Sequence, residues 1–303
     1  MTNYSELQLM IKEQFPDLEL RFNEPMEKHT SFRIGGPAEV MAFPKNRDEL
    51  SQLLKWSALM DVKPAILGAG TNVLAPDAGL SGIVICLKDC FSGMECLDGN
   101  RIRVMSGVTM SRAAVFAAKN NLSGFEFAHG IPGTVGGGVY MNAGAYGGEI
   151  CQICQCVEVM SPTGDISVLS ADEMDFSYRH SCLENSGNIV VSTTFQLQPM
   201  EETIVKEKMR DLMARRSASQ PLDLPSAGSA FKRPVGGYAA ALIDDAGLKG
   251  YCVGGAAISE KHAGFAVNLG GATAADVKQL LQNVSDIVFK KSGIRLEPEV
   301  RIW

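Results

Sequence analysis

Apolar and charged residues are interleaved along this chain at two different periods, and the dominant period changes part-way. Residues 5–15 place Leu7, Leu9, Met10 and Ile11 between charges, which predicts a surface helix. A short strand is expected at 38–43, then a helix capped by Asp48 and running to residue 59 that buries Leu50, Leu53, Leu54 and Trp56. The apolar run 64–67 ends in Gly68-Ala69-Gly70-Thr71-Asn72, a strand opening into a glycine loop. Beyond it the alternation is mostly of strand type, at 83–87, 102–105, 157–160, 166–169 and 189–197, with one helix at 111–120 set among them. The Pro162 to Asp165 turn joins two of these strands as a hairpin.

From 201 to 217 the helical period returns, with Ile204, Met209, Leu212 and Met213 on one stripe, followed by a proline-bounded linker at 220–225. Two further helices are expected at 237–246 and 274–291, and a last strand at 296–303 that returns to the first sheet. Strands that mostly follow one another, with helices segregated, predict an α+β fold rather than a doubly wound sheet. The domain boundary falls near residue 205. Neither repeats nor low-complexity tracts are visible.

The 303 residues suit two domains, or one large domain with an insertion. Apolar residues at 46% and charged residues at 20% exclude a disordered or fibrous chain. With 28 Lys+Arg against 34 Asp+Glu the net charge is −6, which argues against a generic nucleic-acid surface. There is no basic start followed by an apolar run, and no apolar stretch long enough to span a membrane, so a cytoplasmic enzyme with reduced thiols is expected. Cys151, Cys154 and Cys156 invite a metal reading, but their alternation is that of a strand and no second pair completes four ligands, so no metal is expected.

Four segments concentrate the groups from which chemistry is built. The first, 31–37, joins Arg33, a fork for a phosphate, to Gly35 and Gly36, which let the backbone turn or approach a ligand. The second is the 68–72 loop, whose successive amides form a concave anion site suited to a pyrophosphate. It is neither a Walker loop nor a complete dinucleotide fingerprint. The third, 124–148, holds nine of the chain's 31 glycines, interleaved with Phe125, Phe127, Ile131, Val135, Val139 and Met141. A flexible linker does not carry such apolar residues, whereas a backbone packed along a large flat ligand needs that many missing side chains. The fourth, 224–234, sets Ser226 and Ser229 beside Lys232 and Arg233, a phosphate-bonding loop on its physics alone. No His-Asp pair at a diagnostic spacing would make Ser229 a nucleophile.

Seven motifs in order resemble the MurB family of UDP-N-acetylenolpyruvoylglucosamine reductases: 29–36, 68–72, 124–148, 176–180 (Phe-Ser-Tyr-Arg-His), 228–234 (Gly-Ser-Ala-Phe-Lys-Arg-Pro), 259–262 (Ser-Glu-Lys-His) and 296–301 (Leu-Glu-Pro-Glu-Val-Arg). The resemblance implies a noncovalent FAD held by a vanillyl-alcohol-oxidase (PCMH) type domain in two subdomains, 1–70 (joined by the strand 296–303) and 71–204, and a smaller α+β substrate domain at 205–295. It implies that NADPH reduces the flavin and that the enolpyruvyl ether of UDP-N-acetylglucosamine then takes a hydride and a proton to become UDP-N-acetylmuramate, a peptidoglycan precursor.

By position, Ser229 matches the proton donor, and Arg179 and Glu299 match the groups that hold the carboxylate and polarise the enol-like intermediate. Glu297 and Glu299 fall on one side of a strand, so spacing alone does not choose between them. Tyr178, Lys232, Arg233, Tyr238 and Lys261 match substrate contacts. Arg33, Gly68, Ala69, Gly70, Thr71, Asn72, Gly130, Pro132, Gly133, Thr134, Gly137, Gly138, Ala143 and Gly144 are the implied FAD contacts. Lys232 is the nearest candidate cation to steady a serine alkoxide, and the four histidines, each inside a motif, are expected to be hydrogen-bonding supports. The chain has the length of the compact subtype without a tyrosine-bearing loop insertion, and a monomer is expected. The alternatives are another FAD oxidase or dehydrogenase of the same fold, or a nucleotide-sugar binding protein without catalysis.

Overall fold

The computed structural model describes residues 5–303, and the chain packs into two compact units. The first comprises the described residues up to Phe22, with Val40–Ala69 and Gly82–Arg215; the second comprises Asn23–Glu39, Gly70–Ser81 and Arg216–Trp303. This partition differs from the three-part division expected above, chiefly because 23–39 and 70–81 belong with the C-terminal residues.

In the first unit, α1 (Glu6–Gln14) opens with a capping box between Ser5 and Gln8 and buries Ile11. Helix α2 (Arg47–Leu59) buries Leu50, Leu53 and Leu54 as expected, but its cap is Asn46 rather than Asp48. The Asn46 Oδ1 accepts the Glu49 N–H at 2.9 Å, while Asp48 already lies in the first turn, where its charge favours the positive end of the helix. These helices cover a sheet of strand order Glu19–Pro25, Pro37–Phe43, Leu80–Cys86, Ala65–Leu67, the last two parallel. The pattern reading missed Glu19–Pro25, although Glu19, Arg21 and Asn23 alternate with half-buried Leu20 and Phe22 at the strand period.

A second sheet of this unit is wholly antiparallel, in the order Ile166–Ser170, Cys154–Met160, Ile189–Gln196, Arg101–Met105, Met94–Leu97, and includes the hairpin expected at the Pro162 turn. Helices α3 (Met110–Lys119) and α4 (Val135–Tyr140) close its core, with Ala113, Ala114, Ala117, Val135 and Val139 buried against Ile102, Val157 and Phe195. A short α5 (Leu183–Ser186) follows the 177–180 turn. In α6 (Glu202–Ser219) Met209 is buried as expected, but its partner on the buried face is Val205, and Ile204 is half-exposed.

The second unit holds an antiparallel sheet in the order Ser226–Ser229, Phe265–Asn268, Ala256–Ile258, Cys252–Val253. Helices α7 (Ala239–Asp245) and α8 (Ala274–Ser292) pack on it through Ile243, Val277, Leu280, Leu281 and Val284. Phe32, Ile34 and Leu74 lie in this same core. The Asn268 side-chain amide donates to the Phe32 carbonyl at 2.9 Å, and both Asp77 carboxylate oxygens accept N–H groups from the first turn of α8. The terminal strand is shorter than expected: only Arg301–Ile302 pair, in parallel, with Val73–Leu74. Pro298 has no N–H to give and makes a single bridge to Phe231 instead.

Candidate active site

The glycine segment is folded, not a linker. Thr134 caps α4, its Oγ1 accepting the Gly137 N–H at 3.4 Å, and a Cβ added to Gly68 would come within 2.5 Å of that same Oγ1. The first unit therefore brings the start of the 68–72 loop against the start of the glycine helix. Four of the nine glycines, however, are demanded by the protein's own packing. A Cβ on Gly136 would meet Ser106, one on Gly138 the Met110 sulfur, one on Gly144 the Gly148 carbonyl and Glu149, and one on Gly148 the Phe127 ring, all within 2.8 Å. Gly137 differs: it is exposed, and its added Cβ would meet only Thr134 Oγ1, at 3.7 Å. Exposed Pro132 and half-buried Gly130, Gly133 and Ala143 lie along the same segment.

In the second unit Gly70 is pinned to the 29–36 motif: its carbonyl accepts the Ser31 N–H at 3.0 Å, and a Cβ there would strike the His29 carbonyl. Gly35 and Gly36 serve this loop packing too, the Gly36 N–H donating to Pro76 O at 2.9 Å. Thr71 and Asn72 are half-buried, and Arg33 is exposed. The Asn72 amide donates to the Glu299 carbonyl at 3.2 Å and the Arg301 N–H donates to Asn72 O at 3.0 Å, so the glycine loop and the 296–301 motif are tied together.

Around the Phe231–Pro298 bridge, the Lys232 N–H donates to Glu297 O and the Glu299 N–H to Ala230 O, both at 2.9 Å. This register distinguishes the two carboxylates that spacing left equivalent. Glu297 is exposed and lies opposite Lys232, with Nζ to Oε2 at 3.5 Å. Glu299 is half-buried opposite Ala230, next to Ser229. The Lys232 charge is thus shared with Glu297. Ser229 is the exposed last residue of its strand, in register with Phe265. Arg233 stacks its guanidinium 4.1 Å from the Tyr238 ring, and the Lys261 ammonium donates to Ser217 O at 2.7 Å.

Tyr178 and Arg179 are the central pair of a tight turn in which Ser177 and His180 exchange both backbone hydrogen bonds. Arg179 has φ +55°, its guanidinium sits 4.8 Å from the Tyr178 ring, and Nη2 donates to the Gly144 carbonyl at 3.2 Å. Ten described non-glycine residues have positive φ, and seven are Asn or Asp, which tolerate it. The other three, Arg33, Tyr146 and Arg179, all lie inside the motifs. Strained backbone of this kind clusters at active sites and ligand clamps, which marks these three positions as candidates.

The histidines act as supports. His29 Nε2 lies 2.9 Å from Glu24 Oε1, His129 Nδ1 3.2 Å from Ser111 Oγ, and His180 Nδ1 2.8 Å from Glu184 Oε2. Burial holds His262 below the ordinary imidazole pKa, in keeping with its Nδ1 accepting the Gly264 N–H. Burial pushes the Cys154 thiol up to about 12, and no cluster of three His, Cys, Asp or Glu side chains converges among the described residues.

The chain matches the FAD binding domain family over residues 38–170 and the C-terminal domain of UDP-N-acetylenolpyruvoylglucosamine reductase over 220–303, the latter starting at the linker after α6. Curated reductases of that name are 46% identical in Caldanaerobacter subterraneus subsp. tengcongensis, over 96% of both chains, and 44% identical in Streptococcus pneumoniae, over 94% of both. The chain belongs to the UDP-N-acetylenolpyruvoylglucosamine reductase (MurB) family. A MurB crystal structure from Thermus caldophilus superposes with a TM-score of 0.80 at 35% identity, covering 94% of this chain and 98% of that one. An alkyldihydroxyacetonephosphate synthase, at 16% identity and a TM-score of 0.50 over 65% of this chain and 41% of that one, shares the fold alone. The α+β class, with an FAD-binding domain preceding a MurB C-terminal domain, is therefore as the motifs implied. Sequence reasoning passed over Asn142, whose signal was one asparagine among the glycines of the third motif.

Proposed function

We propose that this protein reduces the enolpyruvyl ether of UDP-N-acetylglucosamine to UDP-N-acetylmuramate at the expense of NADPH. The observation that carries this reading is the Arg179 bond to Gly144: the cation suited to an enolpyruvyl carboxylate is attached to the glycine segment of the FAD-binding domain. The residues present fit FAD, since Gly137 is exposed at the capped start of α4, beside the Gly68 turn, and an added Cβ there would meet protein only at 3.7 Å. Gly68 to Asn72, Arg33, Gly130, Pro132 to Thr134, Gly137, Gly138, Ala143 and Gly144 would hold it. When bound, FAD supplies two-electron hydride transfer between NADPH and the vinyl carbon.

The chain's own groups do the rest. Hydride addition to the terminal vinyl carbon drives negative charge onto the neighbouring carbon and its carboxylate, and the Arg179 guanidinium stabilises that charge with paired N–H donors. The Ser229 hydroxyl delivers the proton to that carbon. Glu299, half-buried opposite Ala230 where Glu297 is exposed, is proposed to polarise the enol-like intermediate. Tyr178, Arg233, Tyr238 and Lys261 are proposed to contact the UDP-sugar, and a cytoplasmic monomer to be the working form.

The expected result is a yellow protein, bleached by NADPH under anaerobic conditions and recoloured by the UDP-enolpyruvyl sugar. A colourless protein that stays inactive after incubation with FAD overturns the proposal, and hydrogen peroxide formed with other alcohols or sugars would indicate an oxidase.

The glycine assignments are separable by stability. Gly136→Ala is expected to destabilise the flavin-free protein by about 1–3 kcal/mol, since overpacking against Ser106 forces the backbone to move. Gly137→Ala is expected to leave it unchanged or up to about 1 kcal/mol more stable, alanine being the better helix former, while weakening FAD binding. Thermal melts with and without added FAD check both, and equal FAD affinity for Gly137→Ala and the unmodified protein would remove Gly137 from the cofactor site.

A further inference from the structure

The segment 140–144 is joined to the turn bearing Arg179 by three hydrogen bonds at alternate residues. Ser181 Oγ donates to Tyr140 O at 2.8 Å, the Asn142 side-chain amide donates to Ser177 O at 3.0 Å, and Arg179 Nη2 donates to Gly144 O at 3.2 Å. At the first and last of these the segment contributes a backbone carbonyl, which any residue would provide. At the middle one it contributes a side chain.

Asn142 is 1% exposed, with both ends of its amide engaged. Its Oδ1 accepts the Cys151 N–H at 3.0 Å, and its Nδ2 reaches Glu149 Oε2 at 3.3 Å as well as Ser177 O. Only one orientation of the amide satisfies a donor at Cys151 and an acceptor at Ser177, so the group is fixed in register. Its φ of +42° lies in the left-handed region that asparagine tolerates better than most residues. The chain has thus placed a buried hydrogen-bonding hub between the glycine segment and the base of the Arg179 turn.

We infer that Asn142 is a positioning residue for the reduction step: by holding Ser177 O it fixes the Ser177–His180 turn, and through it the place of the Arg179 guanidinium. This rests on the reading of Arg179 given above. Carboxylate recognition by a guanidinium is directional, and misplacing a reacting or stabilising group by about 1 Å costs on the order of 10²-fold in rate.

The test is a double-mutant cycle on the flavin-loaded protein, following the two half-reactions by flavin absorbance. Asn142→Asp keeps the shape and the acceptor for Cys151 but puts an oxygen against Ser177 O; Asn142→Gly removes the side chain where the positive φ is easily borne. Expected for both are unchanged flavin content, unchanged bleaching by NADPH, and recolouring by the UDP-enolpyruvyl sugar slowed by about 10²-fold. Combined with Arg179→Ala, neither should slow recolouring beyond Arg179→Ala alone, because residues acting as one unit are not additive. Additive losses overturn the inference, as does loss of flavin in both variants, which would make Asn142 a support of the cofactor segment instead. Failure of the unmodified protein to recolour with the sugar is seen before any variant is made, and it refutes the reaction rather than the role of Asn142.

Discussion

Replacing Ser229 by alanine leaves the flavin reducible by NADPH and slows its reoxidation by the UDP-enolpyruvyl sugar by about 10²–10⁴-fold, the range over which a positioned proton donor acts. The separation arises because only the second half-reaction makes a carbon–hydrogen bond from a proton. Stability should hardly change. Ser229 is an exposed strand end paired with Phe265 through its backbone, and the ladder is continued by the Ala230 N–H donating to Gly264 O. A surface change of this kind costs within about 0.5 kcal/mol. Stopped-flow absorbance with each reductant and oxidant in turn checks the prediction. Equal losses in both halves would give Ser229 a binding or folding role, and full retention would send the proton to another donor.

How much of this was legible in the sequence depends on the range of the contact. Local chemistry was: the hairpin at Pro162, the α+β order and the glycine loop after the strand all follow from neighbours in sequence. The cap of α2 was misread by two residues, because Asn46 and Asp48 are both good caps and only the backbone entry angle selects between them. Long-range packing was not legible. Nothing in Ser31–Phe32–Arg33–Ile34 announces that Phe32 and Ile34 share a core with Ala227, Ile243 and Val277.

The glycine count shows the same limit. Its location was readable, but its cause was attributed wholly to a ligand, whereas Ser106, Met110, Phe127 and Glu149 already account for four of the nine positions. Glycine is demanded wherever two surfaces approach closely, and sequence does not say whether the second surface is cofactor or protein. Likewise Glu297 and Glu299 were equivalent until the Phe231–Pro298 bridge set one opposite Lys232 and the other opposite Ala230.

Arg179→Gly should separate strain from function more sharply than alanine would. At φ +55° a side chain costs roughly 1–2 kcal/mol that glycine does not incur. Against that stand the lost bond to Gly144 O, the lost stacking on Tyr178 and the extra freedom of glycine in the unfolded chain. These terms nearly offset, so the stability read from the melt should change by less than about 1 kcal/mol in either direction. Reoxidation by the UDP-enolpyruvyl sugar should nevertheless fall by about 10²–10³-fold, as when a preorganised donor to developing charge is removed. Flavin reduction by NADPH is the internal control and should persist. Were arginine kept at this strained position for folding, the glycine variant would melt lower and turn over normally. If it is kept for the carboxylate, the variant folds as well as the parent and fails only when the enolpyruvyl group is the acceptor. Melting and the two half-reaction rates, measured on one preparation, decide between these outcomes.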